Sequence, residues 1–168
     1  MAGKILIAPQ YASLEGPLIF LAGPIQGALD WQSKAISYIP TLAPELHIAS
    51  PRRKVYTDKN FDYAEQVDWE RNYLRRAASE GAIMFWLAKE DKHRCDRAYA
   101  QTTRFELGEC KNWHEQKGAK LVIGVEEGYT GAKYVKYVFP RDCPNVPICN
   151  ALEETCRRAI GLAMQNKA

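Results

Sequence analysis

Two short apolar runs open the chain: KILIAP at 4–9 and PLIFLAGP at 17–24, separated by a Gly-Pro turn. Each is bounded by breakers and too short for a stable helix, so both are predicted strands. The second is apolar at nearly every position, the pattern of a strand covered on both faces. Asp30 then stands where an N-cap belongs, ahead of a helix reaching about Leu42 with Trp31, Ala35, Ile36 and Ile39 on one side. Pro44 stops it, and LHIASP at 46–51 is a third strand. A polar loop, 51–62, follows.

The next periodic segment, about Tyr63 to Ser79, places Val67, Tyr73 or Leu74, and Ala77 or Ala78 on one stripe. AIMFWLA at 82–88 is another near-continuous apolar strand, leading into the charged loop KEDKHRCDR. A helix is predicted from about Thr102 to Gln116, closed by Gly118. KLVIGV at 120–125 reads as a strand and 134–139 as a weak one. Pro140, Pro144 and Pro147 mark an irregular stretch, and a last helix covers about Asn150 to Met164. Strands alternating with helices predict a single α/β domain with a parallel sheet between helical layers. In such sheets the binding crevice lies beyond the carboxyl ends of the strands. The Gly23-Pro24 turn, the loop after Trp86, the loop after Val125 and the start of the helix carrying Glu106 are expected there.

Composition narrows the class. The 168 residues are 46% hydrophobic and 26% charged, ordinary for a globular domain with its own core. A net charge of +3 is too small to argue for nucleic acid, and the basic groups are scattered. No apolar run is long enough to span a bilayer, and the first ten residues lack the apolar core of a signal peptide. A cytoplasmic protein is expected, with no membrane or nucleic-acid partner. Five cysteines, an odd number without a CxxC pair, argue against a disulfide framework. His93-x-Cys95 and Cys110-x-x-x-His114 match no common zinc spacing, so no metal is expected.

The stretch QTTRFELGEC, 101–110, carries the sharpest chemical signal. Glu106 sits between Phe105 and Leu107, in the first turns of its helix. The positive end of the helix dipole and a threonine at 102 or 103 would favour an ionised, low-pKa carboxylate, suited to nucleophilic attack. A dipole-stabilised glutamate with no further role has the same signature. Within YAEQVDWE, 63–70, Glu70 shares a side with Val67 and Leu74, where a carboxylate needs a partner or a role. Two carboxylates over a small pocket suit glycosidic-bond chemistry, one attacking the anomeric carbon and one managing protons.

Four blocks together resemble the nucleoside 2-deoxyribosyltransferase superfamily, in its shorter 2-deoxyribosyltransferase-like branch. They are IFLAGPI at 19–25 with Trp31 following, QVDWERNYL at 66–74, IMFWL at 83–87 and TTRFELGE at 102–109. The match spans about residues 18 to 125. It implies a flavodoxin-like or Rossmann-like homo-oligomer that exchanges bases on nucleosides with no cofactor. It also implies Glu106 as the nucleophile and Glu70 as the acidic partner on the preceding helix, with Asp68 and Asp62 as competitors. Where the family often has an aspartate six residues before the nucleophile, this chain has Ala100. Gly23 and Pro24 are expected to let substrate approach the backbone. Trp31, Phe20 or Trp86 would offer an apolar wall, and Thr103 and Arg104 would orient the carboxylate. Two other readings share the fold: an N-glycosidase acting on nucleosides or nucleoside 5′-monophosphates, with a phosphate site at residues 52–54 or a serine, and a nucleotide-binding module without catalysis.

Overall fold

The computed structural model describes residues 2–54 and 61–165. Half of the expected polar loop, residues 55–60, lies outside the described residues. Among these, the order is β1 (Ile5–Ile7), β2 (Leu18–Ala22), α1 (Trp31–Leu42), β3 (His47–Ser50), α2 (Tyr63–Glu80), β4 (Ala82–Leu87), α3 (Gln101–Lys117), β5 (Leu121–Val125), α4 (Ala132–Asp142), β6 (Ile148–Cys149) and α5 (Leu152–Met164). All strand pairings are parallel, and the sheet order is β1-β3-β2-β4-β5-β6. Without the edge strand β1 this is the doubly wound order of flavodoxin-like sheets.

The apolar runs form the centre of the sheet because both of its faces are covered. In β2, Leu18, Phe20 and Ala22 join the core shared with α2, α3 and α4, whereas Ile19 and Leu21 join the core shared with α1 and α5. β4 divides likewise: Ile83, Phe85 and Leu87 on one side, Ala82, Met84 and Trp86 on the other. At about 25 cal/mol per Å² of apolar surface, such strands supply much of the driving force for folding.

Helix ends follow local chemistry. The Asp30 carboxylate accepts the Ser33 amide at 3.0 Å and starts α1. Gly118 closes α3 in the left-handed region at φ 67°. One expectation is overturned: residues 134–139 lie in α4. Their valines and aromatics favour strand, yet Val135 and Phe139 are the buried positions, four apart, while Tyr134 and Tyr137 face out. Helical spacing of the buried pair outweighs intrinsic β preference. The sixth strand is β6, within the proline-marked stretch. No helix among the described residues is long and apolar enough to cross a membrane.

Candidate active site

The strand order reverses direction at β2, between β3 and β4. A cleft of about 360 Å³ opens beyond the carboxyl ends of these strands. Gly23 and Pro24 contribute from β2, Pro51 from β3, Gln66 and Glu70 from α2, and residues 100–103 and Glu106 from the start of α3. The volume is at the low end of small-molecule sites.

Gly23 is a requirement of this cleft. Its φ is +149°, and an added Cβ would lie 2.3 Å from the Trp86 carbonyl oxygen and 2.8 Å from the Trp31 ring. The turn is pinned from below. Trp31 Nε1 donates to the Pro24 carbonyl at 2.9 Å, and Gln32 Nε2 reaches the same oxygen at 3.4 Å.

Glu70 and Glu106 come from neighbouring helices and face the same cleft. Gln66 Nε2 donates to Glu70 Oε1 at 2.7 Å and to the Pro51 carbonyl at 2.9 Å. Arg53 Nε donates to the other end of that amide, Gln66 Oε1, at 2.6 Å. Burial raises the Glu70 pKa, against the lowering effects of the Gln66 hydrogen bond and the Arg53 charge. Among the described residues no hydrogen bond reaches the Glu106 carboxylate. Burial, then the charges of Glu70 and Glu109, push Glu106 up to about 8, opposed by Arg71. This corrects the expected low-pKa carboxylate. The helix dipole favours ionisation, but desolvation and a facing carboxylate outweigh it. Thr102 and Thr103 do not bond it. With Glu106 pushed up to about 8 it holds a proton near neutral pH, and that proton belongs to the facing pair of carboxyls rather than to one residue.

Other expected site residues lie elsewhere. Trp31, at 3% exposure, is buried under the turn and acts through Pro24. Phe20 packs on Trp69 at 6.3 Å between ring centroids, and Trp86 lies in the core against α1 and α5. No member of that proposed apolar wall lines the cleft; Tyr63 does, at its mouth. Asp62 caps α2, accepting the Glu65 amide at 3.1 Å, so its carboxylate is used by the helix. Asp68 is exposed, away from the cleft, because its position is two residues out of phase with Glu70. Arg104 turns from Glu106 toward a separate groove, its guanidinium 3.4 Å from Thr130 Oγ1. Tyr129 and Tyr134 line that groove too. Of the basic triplet, Arg52 braces the 25–29 loop, bonding Gln32 Oε1 at 2.8 Å and the Ile25 carbonyl at 3.0 Å. Among the described residues no three His, Cys, Asp or Glu side chains gather as a metal site requires.

Gln66 and Arg71 had no signal in the sequence. Gln66 acquires its role from Pro51 and Arg53, which are distant in the chain. Arg71 holds Glu109 of α3 with hydrogen bonds of 3.0 and 2.8 Å, joining the two helices beside both carboxylates. Arg97 also lines the cleft, half-buried.

No family model matches the chain, and no curated protein matches it. Among solved structures it is similar to a conserved protein from Enterococcus faecalis V583. The TM-score is 0.53 at 10% sequence identity, covering 88% of this chain and 99% of that one. That similarity speaks to the fold alone.

Proposed function

We propose that the protein transfers 2-deoxyribose between nucleobases through a glycosyl ester on Glu106. The observation that carries this reading is the pair itself: Glu70 and Glu106 facing one small cleft at the point where the strand order reverses.

The proton inventory suits the reaction. Burial raises Glu70, the Gln66 amide and Arg53 work against that rise, and Glu106 holds a proton near neutral pH. As the C1′–N bond breaks, its electron pair goes to the base. The base takes the Glu106 proton, directly or by way of Glu70. The Glu106 carboxylate then bonds C1′ as the oxocarbenium-like charge develops. A carboxylic acid and a nucleoside become a glycosyl ester and a protonated base, with nothing left over. A second base attacks C1′, gives its proton to the pair and regenerates Glu106. Tyr63, at the mouth, offers a face on which the base stacks. Reading the activity as one of the nucleoside 2-deoxyribosyltransferase superfamily rests on the sequence blocks given above.

The test is to incubate the protein with deoxyinosine and free adenine and to follow all four species by chromatography. The expected outcome is new deoxyadenosine, lost in Glu106→Ala. Free hypoxanthine without deoxyadenosine would assign hydrolysis instead. No change with any base, on deoxynucleosides or on their 5′-monophosphates, would reject glycosidic chemistry.

A further inference from the structure

The side-chain amide of Gln66 can lie only one way. Its nitrogen donates to the Pro51 carbonyl at 2.9 Å and to Glu70 Oε1 at 2.7 Å, which uses both amide hydrogens. Its oxygen accepts from Arg53 Nε at 2.6 Å. A backbone carbonyl only accepts and a guanidinium only donates, so these two partners fix the amide from opposite ends. Arg53 is itself held. Its Nη2 donates to Glu65 Oε2 at 3.0 Å, and its guanidinium carbon lies 5.1 Å from the centre of the Phe61 ring. Gln66 is buried and the Arg53 side chain nearly so, which keeps water from replacing either contact.

Glu70 Oε1 therefore faces a donor that cannot turn into an acceptor. A proton on that oxygen would meet the amide hydrogen, so the amide favours the ionised carboxylate. Glu106 has no such donor among the described residues. Glu70 Oε2 makes no hydrogen bond among the described residues and is left to the cleft. The two carboxyls are unequal in hydrogen bonding as well as in burial.

We infer that Gln66, oriented by Arg53, is a positioning residue that assigns the two carboxyls their roles: Glu70 accepts a proton, and Glu106 starts with it. The inference rests on the glycosyl-transfer reading for the use made of that proton, but not for the assignment. In the transfer, the Glu106 O–H gives its proton to Glu70 Oε2, and Glu70 passes it to the departing base. Glu106 is left as the carboxylate that bonds C1′, and Glu70 ends as it began. Among the described residues, the charged groups around Glu70 are Arg53 from the segment after β3, Glu106 from α3 and Arg97 from the cleft lining, with Glu65 and Arg71 on its own helix. The β2 turn, 23–26, brings none. Burial drives Glu70 up, and the Gln66 bond and the Arg53 charge oppose it.

The test is a carbon NMR titration of the glutamate carboxyls, with Glu70→Gln and Glu106→Gln identifying the two signals, beside the pH dependence of kcat/KM. In the unsubstituted protein Glu70 is expected to titrate first and Glu106 at about 8. Gln66→Met keeps the length of the side chain and loses both donors. Arg53→Met removes the partner behind the amide. Each is expected to move the Glu70 step to higher pH and leave the Glu106 step in place. Below the Glu70 step, kcat/KM is expected to fall about 10-fold, the value of one charge-assisted hydrogen bond. Arg53→Lys, which keeps the charge and a donor, is expected to regain part of it. A Gln66 that only braced the fold would lower the melting temperature of these variants and leave the Glu70 step unmoved. That result, or Glu106 titrating below Glu70, would overturn the assignment. Where Gln66→Met fails to fold, the Arg53 variants and the titration order of the unsubstituted protein decide it. Base exchange with an unmoved Glu70 step would leave the transfer reading standing and remove this one. A moved step without bond cleavage would do the reverse.

Discussion

Arg71 on α2 grips both carboxylate oxygens of Glu109 on α3, at 3.0 and 2.8 Å. The pair lies one residue beyond Glu70 and three beyond Glu106, so it fixes the spacing of the helices that present both cleft carboxylates. It also sets a positive charge near Glu106 without neutralising it, since Glu109 takes the guanidinium's hydrogen bonds.

The shared proton implies a bell-shaped dependence of kcat/KM on pH. Above about 8 the pair is fully ionised and has no proton for the departing base, so the rate falls. At low pH Glu70 takes a proton as well and can no longer draw the proton from Glu106, so the rate falls there too. Neighbouring charges should move the alkaline limb in opposite directions. Glu70→Gln removes a like charge and is expected to shift it to lower pH. Arg71→Met removes an opposing charge and is expected to shift it to higher pH, with kcat about 10-fold down from loosened helix spacing. A pH–rate profile of the two variants checks both signs.

The same proton governs stability. Glu106 in the folded protein titrates above its ordinary value of 4.5. Between 4.5 and about 8 the folded state therefore binds more protons than the unfolded chain, and stability falls as pH rises through that window. The slope is at most about 1.4 kcal/mol per pH unit for this one group. Glu106→Gln removes it. The variant is expected to melt at a higher temperature than the unsubstituted protein at pH 8, and the difference should shrink toward pH 5. Melting curves at the two pH values measure it.

The Gly23 turn is intolerant of a side chain. Gly23→Ala drives a Cβ to 2.3 Å from the Trp86 carbonyl oxygen in β4. A loss of about 2–4 kcal/mol is expected in denaturant unfolding, as for other overpacked or strained backbone sites. Trp31→Phe keeps most of the ring but removes the bond to Pro24, and should cost about 1 kcal/mol. Its larger effect is expected on KM, because the turn it supports is a wall of the cleft.

What the sequence revealed follows a physical division. β2, β4 and β5 are buried on both faces, so their unbroken apolar runs announced them, and the order of strands and helices implied the crevice. Glu106 and Glu70 were legible because a carboxylate among apolar neighbours needs a reason. α4 was misread because its valines and tyrosines have strand preference, while its buried positions, Val135 and Phe139, are set by packing into the core it shares with α2 and α3. Asp62 and Trp31 drew notice as polar and aromatic groups near the motifs, but one caps a helix and the other supports a turn. The raised Glu106 pKa and the Gln66 bridge depend on residues far apart in the chain, which no local pattern records.

The central claim is an ester between Glu106 and C1′. The most direct measurement mixes the protein with a deoxynucleoside, quenches in acid, and takes the intact and peptide masses. One deoxyribosyl adduct is expected on the peptide containing Glu106, absent in Glu106→Gln, and discharged as new nucleoside when a second base is added before the quench. Turnover with no adduct, or an adduct that survives Glu106→Gln, would contradict it.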